Sequence, residues 1–238
     1  MIEVSIFSLS SREVALLIYL AQNRAAEKEI EITTTQLAEE FNISQQTASR
    51  CLIKLHEKMK LVEWKSSPKG SLVKLTPEGM HILDQLRFEL EKALHPDLSS
   101  IVLKGNVFSG RGEGKYYVSQ SAYMKSFRAQ LGFEPFHGTL NVRISANYVD
   151  HLDLIRGSWP IIIKGFKSDE RPFDDVLCYP LKIVGLDAKV AGIIPRRTHY
   201  GTNVLEIISS INIREKLKLK DDDEVEIEFP MDYKSESE

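Results

Sequence analysis

The spacing of apolar residues along the chain changes near residue 95. Before it, apolar residues recur three or four positions apart, as Val14, Leu17, Ile18 and Ala21 do within Ser11–Asn23. This spacing predicts amphipathic helices. After it, short apolar runs are separated by Gly and Pro, which is typical of strands. We therefore predict a multidomain α+β protein with a helical N-terminal part and a β-rich C-terminal part.

The order of elements before residue 95 predicts a winged helix-turn-helix domain over residues 1–94. Two strands flank Ser66–Gly70, whose Ser, Pro and Gly are strong turn signals. Residues 95–100 then resemble a linker. The elements predicted before it are helices over Ser11–Asn23, Thr34–Phe41 and Ser44 to about Met59, strands over Leu61–Lys65 and Ser71–Leu75, and a helix that starts at Pro77.

The start of the third helix carries side chains that can donate to or accept from base edges. These are Gln45, Gln46, Thr47, Ser49 and Arg50. Residues 42–74 hold seven Lys or Arg against two Glu, and Lys65 and Lys69 lie on the predicted wing, where contacts to DNA phosphates are expected. We predict binding to the double-stranded operator of target genes, by a homodimer on two-fold sites. A winged helix that contacts protein or mediates dimerisation is the alternative.

The C-terminal part predicts a small β-barrel over residues 101–232. A short helix over Ala122–Leu131 interrupts the strands, and residues 233–238 are predicted to be a disordered tail. The predicted strands are Ile101–Phe108, Lys115–Ser119, Thr139–Ile144, Ile161–Phe166, Val176–Ile183, Val190–Ile194, Leu205–Ser209 and Glu224–Phe229.

Composition narrows the classes of function. The 238 residues carry 31 Lys or Arg and 34 Asp or Glu, for a net charge of −3, which excludes a globally basic nucleic-acid coat. The sequence has no apolar run of membrane-spanning length and no signal-peptide pattern at its start. Its two cysteines are too few for a disulfide framework or a four-cysteine zinc site. We expect a cytoplasmic protein with no membrane partner.

Three glycines alternate along Gly110–Lys115, and such a segment can bring backbone N–H groups close to an anion. Its spacing matches neither the P-loop nor the dinucleotide-binding fingerprint. Taken by itself, a turn at a barrel corner is the better interpretation.

Two further clusters carry polar residues in the same half. Thr139 and Asn141 are two positions apart on a predicted strand, so their oxygens face one side, as magnesium ligands or as a hydrogen-bonded strand end. The second cluster, Pro195–Tyr200, contains Arg-Arg and His ahead of Leu205-Glu206. A solvated turn explains it as readily as an anion clamp.

Taken together, the clusters resemble one family, the archaeal CTP-dependent riboflavin kinases, from Ile101 to about Phe229. The ordered motifs are SGRGEGKYYVS from Ser109, LGFEPFHGTLNV from Leu131, CYPLKI from Cys178, PRRTHY from Pro195, LEII from Leu205, and IREKL from Ile213 ahead of LKDDD. The sequence departs from the usual pattern at three places: His137, the pair Ser209-Ser210, and Asp222. Part of this family carries an attached winged helix that resembles a regulator of genes for riboflavin synthesis or transport.

The resemblance implies a cradle-loop barrel that makes FMN from riboflavin, with CTP as phosphoryl donor and one Mg²⁺. It implies four sets of ligand-binding residues: the CTP phosphates at Gly110, Arg111, Gly112, Glu113, Gly114 and Lys115; the metal at Thr139 and Asn141; the flavin at Thr198 and Glu206; and the cytidine at Ile211, Asn212, Ile213 and Arg214. No general base is identified.

We therefore expect a bifunctional protein, a riboflavin kinase joined to a DNA-binding regulator of riboflavin-related genes. The alternative is a non-enzymatic transcription factor whose barrel senses a flavin or a nucleotide. A magnesium–phosphate site argues against that alternative, because a sensor has little need of one.

Overall fold

The structure, a computed structural model, describes residues 5–110, 112–167, 172–195, 201 and 203–232. The predicted tail at 233–238 lies outside them. The chain divides into two compact units, residues 1–90 and 91–238. The division falls inside a helix that the sequence predicts as the end of the N-terminal domain.

The N-terminal unit combines helices with a three-stranded antiparallel sheet of order β1-β3-β2. A π-helical turn, Lys54–Lys58, continues α3. The elements are α1 (Ser11–Gln22), β1 (Ile30–Ile32), α2 (Thr34–Glu40), α3 (Gln45–Ile53), β2 (Val62–Ser67), β3 (Gly70–Leu75) and α4 (Pro77–Leu94). All the helices and strands that the sequence predicts here are present, and β1 is an addition.

Side-chain caps fix where the first helices start. Ser10 and Thr33 each form a capping box, with Glu13 and Gln36 respectively, and Ser44 accepts from the backbone N–H of Thr47. These contacts satisfy N–H groups that the first turn of a helix leaves unpaired. The caps therefore place α2 and α3 one after the other with only Phe41–Ser44 between them.

The buried face of α1 differs from the predicted one. Leu17 is buried as expected, but Ile18 is exposed, and Leu16 and Leu20 are buried instead. The buried residues Glu13, Leu16, Leu17 and Leu20 follow helical spacing, so the buried face includes the carboxylate of Glu13, which caps the helix and lies 2.6 Å from Lys54 Nζ.

In its described residues, the C-terminal unit is built from strands with four short α-helices and a 3-10 turn at Ala146–Tyr148. Its elements are β4 (Ser100–Phe108), α5 (Glu113–Val118), α6 (Ser121–Leu131), β5 (Leu140–Ile144), α7 (Val149–Arg156), β6 (Ile161–Ile163), β7 (Phe166–Lys167), β8 (Pro172–Phe173), β9 (Val176–Ile183), β10 (Val190–Pro195), β11 (Val204–Ser209), α8 (Ile213–Leu217) and β12 (Glu224–Pro230).

Six antiparallel strands close into a barrel. The order runs β4-β5-β11-β10-β9-β12, and β12 pairs with β4 to close the barrel. Strand β6 lies outside this order and pairs with Val176–Cys178 at the start of β9. In β12, Val225, Ile227 and Phe229 are buried, and the glutamates between them are not. This alternation is the period of two that a strand imposes, so one face fills the barrel.

Two predictions for this unit are wrong. Residues 115–118 belong to helix α5 and Ser119 caps its end, so this segment is not a strand. Gly112 caps the helix with φ 82°, a left-handed conformation that favours glycine, and Val118 is buried while Tyr116 and Tyr117 are exposed. The predicted strand Ile161–Phe166 is two short strands, β6 and β7. Helices α7 and α8 are additions.

No helix among the described residues is both long enough and apolar enough to cross a bilayer. Both cysteines are free, Cys51 half-buried and Cys178 buried, and burial raises the pKa of the Cys178 thiol.

Candidate functional site

The glycine segment packs against the start of β5. A Cβ atom added to Gly114 would lie 2.5 Å from Thr139 Oγ1 and 2.9 Å from Thr139 Cγ2. Real Cβ atoms do not approach other atoms that closely. The first turn of α5 and Thr139 are therefore in direct contact, and that contact requires glycine at position 114.

Thr139 and Asn141 place two oxygens side by side. The Thr139 hydroxyl donates to Asn141 Oδ1 at 3.2 Å, and Asn141 is buried. Adjacent ligands of an octahedral Mg²⁺ with bonds of about 2.1 Å lie roughly 3 Å apart. The two oxygens fit neighbouring positions around such an ion, and both are the hard donors that Mg²⁺ prefers. Among the described residues, no group of three or more His, Cys, Asp or Glu side chains forms another metal site.

Asn141 has a Cα partner on each of the two strands beside β5. Its Cα is paired with Phe108, the last residue of β4, on one side and with Glu206 of β11 on the other. Asn141 shares a strand face with the exposed Arg143, whereas Val142 points into the core. The site therefore lies on the outside of the barrel, where the chain leaves β4 for the glycine segment.

Glu206 reaches the same place. Its Oε2 lies 3.3 Å from the position that a Cβ on Gly114 would occupy. A carboxylate, two metal-compatible oxygens and the glycine segment thus meet around one point. Three elements that are distant in sequence contribute to it: α5, the start of β5 and β11.

The segment 211–214 is linked to the start of the glycine segment through an acidic turn. Asn212 caps α8 by accepting from the backbone N–H of Glu215, and Arg214 forms a 2.8 Å ion pair with Asp221. The Ser109 hydroxyl donates to the same Asp221 oxygen at 3.0 Å. Hydrogen bonds from Arg214 and Ser109 hold the pKa of Asp221 below its ordinary value.

Aromatic rings continue the site beyond the first turn of α5. Tyr116 stacks on Phe173 with ring centres 6.3 Å apart, and Tyr117 contacts the same ring edge-on at 5.9 Å. Both tyrosines are exposed, whereas Phe133 belongs to the hydrophobic core.

An open groove of about 460 Å³ lies beside Phe173. The groove is lined by Gly165, Phe166, Lys167, Pro172, Phe173, Asp174 and Asp175. Beneath it, the buried Tyr123 hydroxyl donates to the carbonyl of Asp174, and burial together with Asp174 and Asp175 raises the pKa of Tyr123 to about 12. Tyr123 therefore stays protonated and holds one wall of the groove.

Some predicted ligand residues lie outside the part of the chain that the structure describes. Arg111 and Thr198 lie outside the described residues, as do the other residues of the segment 196–200, and the side chain of Glu113 is not described. Gly110, Gly112 and Lys115 are exposed, and Ile211, Arg214 and Asn212 are partly buried while Ile213 is buried. The exposed Lys115 ammonium belongs to the same helix as Gly114.

On the N-terminal unit, some of the side chains predicted to contact DNA already form hydrogen bonds or an ion pair with other residues of the unit. The Gln45 amide donates to Thr35, the Thr47 and Ser44 hydroxyls are 2.9 Å apart, and Lys65 pairs with Glu29 at 2.7 Å. Gln46, Arg50 and Lys69 are exposed, and Ser49 is half-buried. Gln46 and Arg50, four positions apart, lie on one face of α3.

Sequence reasoning missed two parts of this site. One is the link between Ser109 and Asp221, which are 112 positions apart in the chain, so no local pattern indicates it. The other is Phe173 with its groove, because the strands β7 and β8 around it have only two residues each. The exposed Tyr116-Tyr117 pair was a usable signal for the second.

Comparison with known proteins gives consistent matches. The family model CTP-dep_RFKase, described as a domain of unknown function (DUF120), matches residues 107–229, which contain the glycine segment and both β5 and β11. Proteins named riboflavin kinase from Archaeoglobus fulgidus, Pyrococcus furiosus and Methanosarcina barkeri are 40%, 42% and 36% identical to the chain. The alignments cover 88%, 89% and 88% of this chain and 88%, 95% and 92% of those proteins. The similarity therefore extends well into the N-terminal unit.

Proposed function

This chain belongs to the CTP-dependent riboflavin kinase family and is a riboflavin kinase, a phosphotransferase, and on that premise we propose that it uses CTP and Mg²⁺ to convert riboflavin to FMN. CDP is the second product. The membership favours this enzyme over a non-enzymatic sensor. The observation that carries the proposal is the convergence of Gly114, Thr139, Asn141 and Glu206.

The glycine segment and Lys115 are proposed to hold the triphosphate. Gly112 has a left-handed conformation at the start of α5, and among the described residues outside its immediate neighbours no atom lies within 4 Å of its Cβ position, so there is open space beside the segment. Phosphoryl transfer proceeds through a loose transition state, so positioning and charge neutralisation dominate its catalysis. The Lys115 ammonium would balance phosphate charge.

Thr139 and Asn141 would hold the magnesium ion. Bound there, Mg²⁺ supplies charge neutralisation at the phosphate oxygens. The Thr139 hydroxyl proton now points to Asn141 Oδ1, so it has to turn to another acceptor when both oxygens face a cation. Water and phosphate oxygens complete the six ligands.

Glu206 is proposed to orient the ribityl chain of riboflavin. It lies beside Asn141 and Gly114, at the phosphate end of the site, where the accepting hydroxyl has to be placed. The apolar ring system of the flavin would extend toward Tyr116, Tyr117 and the groove at Phe173. Helix α5 has six residues and rises about 1.5 Å per residue. The phosphate end of the site and the aromatic rings are therefore close enough for one riboflavin molecule to reach both.

The segment Ile211–Arg214 is proposed to bind the cytidine. The backbone N–H of Phe136 donates to the carbonyl of Ser209, which brings the loop before Thr139 next to this segment. The donor is tested by mixing the protein with riboflavin, Mg²⁺ and each of the four nucleoside triphosphates, and by measuring FMN by chromatography. We expect FMN with CTP at a rate at least tenfold above the others. Equal or faster turnover with ATP would remove CTP as the donor.

We further propose that the N-terminal unit is a winged helix that binds operator DNA of riboflavin-related genes, as a homodimer. Support comes from the successive helices α2 and α3, the β2–β3 hairpin that follows them, and the exposed Gln46 and Arg50 on α3. Lys69, at the hairpin tip, is exposed for a phosphate contact, whereas Lys65 would have to leave Glu29 first.

DNA binding is tested by fluorescence anisotropy with a duplex from upstream of riboflavin genes. We expect Arg50→Ala to weaken binding about tenfold, as expected for loss of one base-edge or phosphate contact. Lys28→Ala, which removes one exposed positive charge elsewhere in the unit, is the control and is expected to bind as the wild type does. Unchanged binding by Arg50→Ala would argue against Arg50 as a contact, and a wild type that does not bind the duplex would favour a protein-contact role of this unit.

A further inference from the structure

Asp221 connects the two segments that are proposed to bind the two ends of the nucleotide. Its Oδ1 atom accepts a hydrogen bond from the Ser109 hydroxyl at 3.0 Å and lies 2.8 Å from Arg214 Nη2. Ser109 immediately precedes the glycine segment, and Arg214 ends the segment 211–214. One carboxylate oxygen therefore contacts both.

The backbone holds Asp221 in this place. The N–H of Asp222 donates to the carbonyl of Val107 at 2.8 Å, and the N–H of Val107 donates to Asp223 at 2.9 Å. Asn106 Nδ2 also donates to the carbonyl of Asp222 at 2.8 Å. These bonds fasten the turn to the last residues of β4, so the position of Asp221 relative to Ser109 is fixed by main-chain contacts.

We propose that Asp221 is a positioning residue for the nucleotide, which sets Arg214 and the start of the glycine segment in one fixed relation. This inference rests on the proposed function, because it takes the two segments to bind the nucleotide. Asp221 acts through Arg214 and Ser109 and is not itself proposed to touch the substrates.

The contacts indicate that Asp221 orients Arg214 and leaves it available. A guanidinium has five N–H donors, and the pair described here uses Nη2 on a single carboxylate oxygen. The Arg214 side chain is 29% exposed, so solvent reaches part of it, and the proposal assigns its other donors to the ligand. Asp221 is about half exposed, and such pairs contribute little to the stability of a fold. Its effect is therefore expected in substrate binding.

The test replaces Asp221 by Asn, which keeps the size of the side chain and removes the charge. The control is Asp222→Asn, which removes the same charge one residue away, where the contacts described above are made by the backbone. Asn also tolerates the left-handed φ of 70° at that position. Both proteins are compared with the wild type for KM values, for CDP affinity by calorimetry and for melting temperature.

We expect Asp221→Asn to raise KM for CTP and Kd for CDP about fivefold, the effect of one weakened hydrogen-bonded contact. KM for riboflavin, kcat and the melting temperature stay near wild-type values, and Asp222→Asn resembles the wild type throughout. Unchanged or tighter CDP binding by Asp221→Asn overturns the inference, and so does an equal effect of the two variants.

A double variant separates this role from a general loss of structure. If Ser109 acts only through Asp221, Ser109→Ala weakens CDP binding in the wild type but adds nothing in Asp221→Asn. Additive effects overturn the link. A wild-type protein that binds neither CTP nor CDP overturns the proposed donor as well, whereas a wild type that binds CTP beside an unaffected Asp221→Asn overturns only the role of Asp221.

Discussion

Asn141 and Glu206 are Cα partners in the antiparallel pair of β5 and β11. Side chains of directly opposed residues lie on the same face of a sheet, about 5 Å apart at their Cβ atoms. One of these side chains is proposed to hold the metal and the other the accepting substrate. Strand register therefore fixes the separation of Asn141 and Glu206, and on this proposal it would also set the distance between the metal and the riboflavin chain.

Removal of the side-chain oxygens of Thr139 and Asn141 is expected to abolish the kinase activity. The double variant Thr139→Ala, Asn141→Ala should lower the rate of FMN formation at least about 100-fold, because the phosphate charge is then poorly neutralised. DNA binding, if present in the wild type, should be unaffected. Thr139→Ser keeps the hydroxyl and should retain most of the activity. Retained turnover in the double variant would remove the metal assignment.

Gly114→Ala is expected to displace Thr139, since the new methyl group would lie 2.5 Å from Thr139 Oγ1. Displacements of about 1 Å at a reacting centre can cost on the order of 100-fold in rate, so kcat/KM should fall by roughly 10–100-fold. Gly138→Ala is the control, because its nearest neighbour outside the adjacent residues, a Phe136 ring carbon, would lie at an ordinary 3.5 Å. Equal activity of the two variants would show that the Gly114 contact is not needed.

Glu206→Gln is expected to weaken the binding of riboflavin and to leave the binding of the nucleotide nearly unchanged. A hydrogen bond to a charged group contributes about 1.5–3 kcal/mol, so loss of the carboxylate should raise KM for riboflavin roughly 10-fold or more. Kd for CDP should change little, because Glu206 is proposed to contact riboflavin and not the nucleotide. If Kd for CDP rises and KM for riboflavin does not, Glu206 belongs to the nucleotide part of the site.

Stability of the N-terminal unit is expected to depend on Glu13. Its carboxylate is buried, accepts from the backbone of Ser10 at 2.8 Å and lies 2.6 Å from Lys54 Nζ. Burial alone would raise the pKa of Glu13, but the bonds from Lys54 and Ser10 outweigh it and lower that pKa from 4.5. Glu13→Gln should lower the free energy of unfolding by about 1–3 kcal/mol at pH 7.

The pH dependence of that loss has a definite sign. Because the pKa is lower in the folded state, the stabilisation by the Glu13 charge is present above pH 4.5 and is lost as pH falls through the folded-state pKa. The difference between wild type and Glu13→Gln, measured by urea unfolding followed by circular dichroism, should therefore shrink below pH 4.5. The exposed Arg24–Glu27 pair offers a control, and Glu27→Gln should change stability little at any pH. A difference that grows on acidification would contradict the assigned direction.

The sequence predicts most strands of this protein and much of its candidate site, for different reasons. The strand Glu224–Phe229 was predicted correctly because Val225, Ile227 and Phe229 alternate with glutamates. Helix α5 was predicted as a strand because Tyr116, Tyr117 and Val118 favour strands locally, whereas in the structure the segment follows the left-handed Gly112 as a helix that buries Val118.

Long-range contacts set the limit of prediction from the sequence. The family resemblance implied a phosphate site at Gly110–Lys115 and a metal site at Thr139 and Asn141, but the contact between Gly114 and Thr139 is visible only in the folded structure. The link from Ser109 to Asp221 depends on the closure of the barrel, since β12 returns to β4 only in the folded barrel. Neither relation has a local signature in the chain.

The most direct test of the proposed site is a crystal structure of the protein with CDP and Mn²⁺, in which anomalous scattering locates the metal. We expect one manganese peak within about 2.3 Å of both Thr139 Oγ1 and Asn141 Oδ1, with the CDP phosphates at Gly112–Lys115. A metal peak elsewhere, or phosphates bound away from the glycine segment, would contradict the proposal that these elements form a single metal–nucleotide site.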